Sequence, residues 1–381
     1  MPNYILFFLL AFIAGAGDSA DLDLNTNGIF NETSLRPFFE KLKDLDQSDT
    51  GKLAVVHIGD SHIQADFFSG RVRQNLQKRF GNAGRGFVFP YKLANTSGSI
   101  DVKIDQKGNW SSCNIMKDHK GCRLGLAGYS VRGDTGCSFT IDLRSRSDTI
   151  YYFDKLTIFG SPFVPLQTNG DYNTSLSDTG IQIFFESRQD SLTFVPVFKT
   201  VQSNIEGFVL ENEQSGILYH ATGVNGSGTL QYLRSQKFET QIKKLNAQLV
   251  IISFGTNDCY MSSSRFCADC VIERYRKIVS RIRSENPSAS ILLTSPPDSY
   301  LYRKYSNTNI PKLQKAMKRL CFEQNIALWD LYSIMGGKYS IKNWYREGLA
   351  RRDYIHFSKE GYLLQADLLF EALINSYKKG L

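Results

Sequence analysis

The chain has 381 residues, 42% hydrophobic and 22% charged, and a formal charge of +8. That composition excludes intrinsic disorder and coiled coil, and the length predicts one large or two moderate packed domains. Lys and Arg are scattered among acids, so no basic stripe suited to nucleic acid is present.

Tyr4 to Ala14 is an unbroken apolar run, followed by small residues up to Ala16. It is shorter than a membrane span and reads as a signal peptide cut after Ala16 (residues 1–16), although no Lys or Arg precedes it. Export follows as an expectation, and no later run approaches transmembrane length. A basic exported protein suits anionic envelope polymers, while simple solubility is the plainer reading of the charge.

Leu53 to Ile58 is a short branched apolar run ending at Gly59, the pattern of a buried parallel strand. A helical period follows from Ile63 to Phe80. Gly59-Asp60-Ser61-His62 therefore falls at a strand-to-helix turn. From about residue 95 to 222 the helical period vanishes. Strand-like runs at 138–143, 151–159, 181–187, 192–199, 205–211 and 216–221 alternate with turn residues, which predicts an all-β sandwich. The strand–helix grammar then resumes. Strands are predicted at 248–254, 290–294 and 326–329, and helices at about 269–284, 311–324 and 359–377. The whole reads as an α/β fold with a parallel sheet, residues 17–94 and 223–381, interrupted by a β-domain at 95–222. In such sheets ligands gather at the carboxyl ends of the strands.

Seven cysteines form two sequence clusters, 113/122/137 and 259/267/270, with Cys321 apart. An odd count leaves at least one thiol unpaired. Cys267 and Cys270 have a spacing that zinc sites share, but no His lies nearby in sequence, so a local disulfide is the preferred reading.

Ser61 at its turn is placed as a nucleophile would be, with helix N–H groups beside it. Taken alone, an N-cap serine is an equal reading. A serine nucleophile needs a base. The histidines are His57, His62, His119, His220 and His356. Of these, His356 follows Asp353 by three residues just before the last helix, a spacing that brings a carboxylate to its own imidazole. Oxyanion donors are expected from the Ser61 N–H, from Asn257 in Gly255-Thr256-Asn257-Asp258, and from a glycine in the stretch Gly223 to Gly228. A helix-start turn and a flexible junction are the plainer readings of those last two segments.

Gly59-Asp60-Ser61, Gly226, Gly255-Thr256-Asn257-Asp258 and Asp353-Tyr354-Ile355-His356 together resemble the four blocks of the SGNH (GDSL) hydrolases. Each block alone occurs widely; four in order, each at a secondary-structure junction, are specific. The resemblance covers about residues 50–94 and 223–378. It implies a flavodoxin-like three-layer fold, Ser61, Asp353 and His356 as a catalytic triad, and Ser61, Gly226 and Asn257 as the oxyanion hole, with Gly223 a rival for the glycine. Gly59 to Asp66 followed by Phe80 to Gly86 is similar to bacterial peptidoglycan O-acetylesterases, which carry a β-sandwich insertion. That likeness implies a secreted serine esterase of the bacterial periplasm acting on the C6 O-acetyl of N-acetylmuramic acid, with no metal or other cofactor. Another acetylated glycan, an O-acetyltransferase and a non-catalytic glycan-binding protein are the alternatives. His62 and the Asn82 to Gly86 loop read as structural, since the chemistry does not require them.

Overall fold

The structure is a computed structural model that describes residues 22, 26–117, 122–134, 136–143, 149–160, 164–166, 171–177, 180–195 and 203–380. The predicted signal run and His119 lie outside the described residues.

One six-stranded sheet forms the centre, in the order Ile29–Phe30, Ala327–Trp329, Ser290–Thr294, Leu249–Ser253, Lys52–Gly59, Gly216–Gly223. The last five are mutually parallel, and the first is an antiparallel edge. Parallel strands need cover on both faces, which is why Lys52–Gly59 and Ser290–Thr294 read as nearly continuous apolar runs. Side chains alternate between faces with period two. Val56, Ile58, Val250 and Ile252 enter one core with helices Phe238–Leu245, Ala268–Glu285 and Asn309–Gln324. Leu53, Val55, Leu249 and Ile251 enter the other with Arg36–Ser48, Phe67–Phe80 and Lys359–Lys379. The result is the three-layer α/β architecture expected.

The β-rich stretch forms two antiparallel sheets. One joins Trp110–Asn114, Tyr129–Gly133, Ser203–Glu211, Phe153–Gly160, Gly180–Gln189 and Tyr172–Ser177, with Gly86–Val88 paired to Ser203–Glu211. The other joins Lys103–Lys107, Ser138–Asp142, Ser191–Val195 and Val164–Leu166. Phe139 and Phe194 stack at 4.8 Å in the second sheet, and Phe194 meets Phe208 of the first at 5.0 Å. Aromatic residues of facing sheets thus fill one core between them.

One strand departs from the sequence reading. Gly216–Gly223 pairs in parallel with Lys52–Gly59 and forms an edge of the central sheet rather than a β-domain strand. Its residues are buried almost throughout. A strand covered on both faces by its neighbours belongs to a parallel sheet, and short apolar runs do not declare which sheet they join. The predicted helix over 63–80 is two helices, Ser61–Gln64 and Phe67–Phe80, divided at Asp66 with φ +57°.

A buried four-charge network ties the two parts. Arg73 Nη2 lies 2.9 Å from Asp66 and 2.8 Å from Asp101, and Arg85 lies 2.7 Å from each of the same carboxylates. Arg73 Nε also donates to Tyr151 Oη in the β-rich part at 3.1 Å. Two cations against two anions leave the buried cluster neutral, and removing one partner of such a cluster typically costs about 3–5 kcal/mol. Gly86 is a second tie. Its φ is +80°, and a Cβ there would lie 2.1 Å from the Tyr219 carbonyl oxygen in the central sheet. Gly86→Ala is therefore expected to destabilise by about 3 kcal/mol or more, read as a drop in the urea or thermal midpoint.

Candidate active site

The turn after Lys52–Gly59 is set by packing. A Cβ at Gly59 would meet Ile63 Cγ1 at 2.4 Å and the Ser253 carbonyl oxygen at 2.7 Å, so only glycine fits. Asp60 caps the next helix, its Oδ1 accepting from the His62 N–H at 3.0 Å. Ser61 is the first helical residue rather than the cap. Its Oγ lies 3.0 Å from His356 Nε2. His356 Nδ1 lies 2.8 Å from Asp353 Oδ2. An ionised carboxylate only accepts, so Nδ1 carries the proton and Nε2 is left to accept from Ser61. Asp353 Oδ1 accepts the backbone N–H groups of Ile355 and His356 at 2.9 Å each. Partial burial would raise the Asp353 pKa, but the hydrogen bonds from His356 and from these amides outweigh it and hold the carboxyl well below its usual range.

The other described histidines are engaged or buried elsewhere. His57 sits 2.7 Å from both Tyr219 Oη and Ser253 Oγ, and burial lowers its pKa to about 3. His220 is buried in the edge strand, with its pKa lowered to about 4 by desolvation. His62 Nδ1 lies 2.9 Å from Tyr362 Oη, and its ring is 5.4 Å from that of His356. Burial, then the nearby His356, lowers the His62 pKa to about 3, so it stays neutral.

Gly223 and Gly226 differ sharply. Gly223 ends the edge strand. A Cβ there would lie 2.3 Å from the Asp60 carbonyl oxygen and 2.6 Å from the Gln64 nitrogen, and its carbonyl accepts from Tyr91 Oη at 3.0 Å. Gly226 is exposed, with φ +77°, and its N–H has no hydrogen-bond partner among the described residues. Asn257 Nδ2 donates to Ser227 O at 2.9 Å and to Asp60 Oδ2 at 3.2 Å. The carbonyl partner fixes which end of the amide is nitrogen. Asp258 accepts from the Thr229 N–H at 3.1 Å and from Thr229 Oγ1 at 2.6 Å, clamping the Gly226 loop to the Asn257 loop.

Sequence reasoning missed two members of this site. Asp60 is buried, and desolvation pushes its pKa up to about 7. Gln64 is also buried and uses its whole amide. Oε1 accepts from the Asn225 N–H at 2.7 Å and from Tyr129 Oη at 3.3 Å, while Nε2 donates to Thr96 Oγ1 at 3.0 Å and to Ser97 O at 2.6 Å. Its helical spacing from Ser61 was visible, but its partners are distant in sequence. A cavity of about 210 Å3 lined by Gln64, Asp66, Arg85, Tyr91, Thr96 and Ser99 adjoins this helix. The two predicted local cysteine clusters each contain a bond, Cys113–Cys122 and Cys267–Cys270, while Cys137, Cys259 and Cys321 are free and buried.

The GDSL-like lipase/acylhydrolase family model matches residues 206–364. A solved peptidoglycan O-acetylesterase matches 90% of this chain and 96% of its own, with 25% identity and a TM-score of 0.75. The chain has the SGNH (GDSL) hydrolase fold. Two other solved structures also match: a lipase/acylhydrolase from Enterococcus faecalis (26% identity, 43% of this chain, 78% of that one, TM-score 0.33) and an acetyl xylan esterase (22%, 42%, 82%, 0.34). No curated protein matches the sequence. The family match and the solved O-acetylesterase together make it a carboxylic ester hydrolase.

Two outcomes follow from this site. Gln64→Leu strips the Asn225 N–H of its acceptor and loosens the Gly226 loop. It should lower kcat on an aryl acetate by about 10-fold with little change in KM; a change in KM alone would contradict that role. The Asp60 carboxyl pKa is raised in the fold, so the folded state binds its proton more tightly than the unfolded chain. The cost of ionising Asp60 is absent below the ordinary carboxyl range, grows as pH rises and is complete above about 7. Asp60→Asn should therefore gain midpoint stability over wild type at pH 8 but not at pH 3.

Proposed function

We propose that this chain is a member of the SGNH (GDSL) hydrolases, an exported serine esterase that removes O-acetyl groups from peptidoglycan, at the C6 hydroxyl of N-acetylmuramic acid. The chemistry rests on one observation, the hydrogen-bonded chain from Ser61 through His356 to Asp353. The substrate rests on the similarity to a peptidoglycan O-acetylesterase along nine-tenths of the chain, a span that takes in the β-rich stretch. We take that stretch as a module inserted in the hydrolase, with strands running from Gly86 to Glu211. Two disulfides fit an oxidising compartment outside the cytoplasm. Among the described residues no helix is long and apolar enough to cross a membrane.

Ser61 Oγ attacks the acetyl carbonyl while His356 Nε2 takes its proton. Asp353 keeps the imidazole in the required tautomer and stabilises the imidazolium. The oxyanion is met by the Ser61 and Gly226 N–H groups and by Asn257 Nδ2. Asn257 is committed to Asp60 and Ser227 at rest, and the longer bond, to Asp60, is the one the oxyanion competes with. His356 then gives that proton to the sugar oxygen as its bond to the acetyl carbon breaks, so the sugar leaves as the free alcohol and the acetyl stays on Ser61. Water repeats the sequence on the acetyl-serine and releases acetate.

Acetate release from O-acetylated peptidoglycan by the purified protein tests this reading. Ser61→Ala and His356→Ala are each expected to reduce kcat at least about 1000-fold. Turnover by Ser61→Ala at the wild-type rate would sink the mechanism. Turnover of an aryl acetate without release from peptidoglycan would keep the triad and remove the substrate.

A further inference from the structure

The loops that carry Ser61, Gly226 and Asn257 all leave the carboxyl ends of parallel strands. Two more segments do the same. The hairpin Tyr300–Leu301/Tyr305–Ser306 follows strand Ser290–Thr294, and residues 331–354 follow strand Ala327–Trp329. Topology therefore puts them on the edge of the sheet that holds the catalytic chain.

Their composition is unlike that of the rest of the protein. Residues 299–307 and 337–354 together hold seven Lys or Arg, six Tyr and two acids, Glu347 and Asp353. Among the described residues the exposed tyrosines are Tyr302, Tyr305, Tyr339 and Tyr345, and all four are here. They connect to the site through rings. Tyr354, inside the Asp353–His356 turn, packs on Tyr345 at 5.2 Å and on Tyr300 at 5.5 Å. Tyr260, three residues after Asn257, packs on Tyr302 at 5.6 Å. Ammonium groups lie over three of the rings: Lys342 over Tyr300 at 4.7 Å, Lys304 over Tyr305 at 5.2 Å and Lys338 over Tyr339 at 4.6 Å.

The backbone is unusual on the same face. Ten described non-glycine residues have positive φ. Six are Asn or Asp, which tolerate it. The other four are Tyr302, Arg303, Tyr339 and Tyr354. Left-handed backbone at bulky residues costs stability and persists where the surroundings hold it, which is common at ligand clamps.

We propose that this tyrosine- and cation-rich face is the docking surface for the acyl-bearing polymer, a glycan strand that carries carboxylates. Tyrosine presents a large, rigid, half-apolar ring at low entropic cost, which suits the C–H face of a sugar. Arg303 and Arg352, both exposed, meet the carboxylates of the strand. Continuity with the Asp353–His356 turn and the surplus of positive charge favour this occupant over a neutral glycan. The proposal rests on the reading of peptidoglycan as substrate.

The test is co-sedimentation of Ser61→Ala protein with insoluble peptidoglycan, native or with its carboxyl groups amidated. Native material should bind, and amidation or higher salt should weaken binding about 10-fold. Tyr302→Ala/Tyr345→Ala and Arg303→Asn/Arg352→Gln should each weaken it about as much, with melting temperature confirming the fold. The remote pair Lys41→Gln/Lys277→Gln, of equal charge change to the arginine pair, should bind like the parent. Equal binding to native and amidated material overturns the proposal whether or not the double variants fold, as does parental binding by both surface pairs. Acetate release by the wild-type protein is measured in parallel. Release with unaltered binding by the surface pairs removes the docking face alone. Binding as predicted without release removes the esterase reading of the polymer and keeps the face.

Discussion

The site depends on how closely three strands can end beside one another. Gly59 and Gly223 pair across the parallel sheet, and neither has room for a Cβ. Gly59 faces the Ser253 carbonyl of the next strand, while Gly223 faces the Asp60 carbonyl and the Gln64 nitrogen. With side chains at these points the strands would have to spread, and the Ser61 helix would lift away from the loops behind it. Glycine has a conformational cost in a strand, which the sheet accepts here because close approach brings Ser61 between the Gly226 loop and Asn257.

The electrostatics divide two carboxylates between opposite tasks. Asp353 is half-open to solvent and receives an imidazole N–H and two backbone N–H groups, so it stays ionised beside His356. Asp60 is fully buried and receives one backbone N–H and the longer bond from Asn257, which leaves desolvation dominant. Two acids on adjoining turns thus have their pKa values pushed in opposite directions by burial and hydrogen-bond supply together. Asp353 holds the His356 ring. Asp60 caps the Ser61 helix and holds one hand of Asn257.

Much of this was legible in the sequence, for definable reasons. Ser61, Asp353 and His356 sit in local patterns, and local geometry brings Asp353 to His356 without help from the fold. Short, nearly continuous apolar runs with helices between them declared the parallel sheet. The failures lie where meaning is non-local. Gly216–Gly223 looks like any short apolar strand, and only its pairing with Lys52–Gly59 shows which sheet it joins. Lys103–Lys107 and Trp110–Asn114 escaped notice because they are largely polar strands. Gly226 and Gly223 could not be ranked from spacing, whereas burial and hydrogen bonding separate them at once. Asp60 was read as part of a motif and Gln64 as part of a helix. Their roles come from Asn257, Asn225, Thr96 and Tyr129, up to 197 positions away.

Those long-range partners also explain how a β-rich module can interrupt a hydrolase without disconnecting it. Gln64 joins the Ser61 helix to Asn225 beside Gly226 on one side, and to Thr96, Ser97 and Tyr129 at the module's entrance on the other. Arg73 and Arg85 bind Asp66 and Asp101 across the same boundary. Each is a buried polar group satisfied only when both parts are present, so loss of either would strand donors or charges in a dry interior, a cost of several kcal/mol per charge. A module held by a shared apolar face alone could slide. One held by directional bonds to the residue three positions after Ser61 is fixed in register with it, so the Gly226 loop is positioned by contacts that include the module.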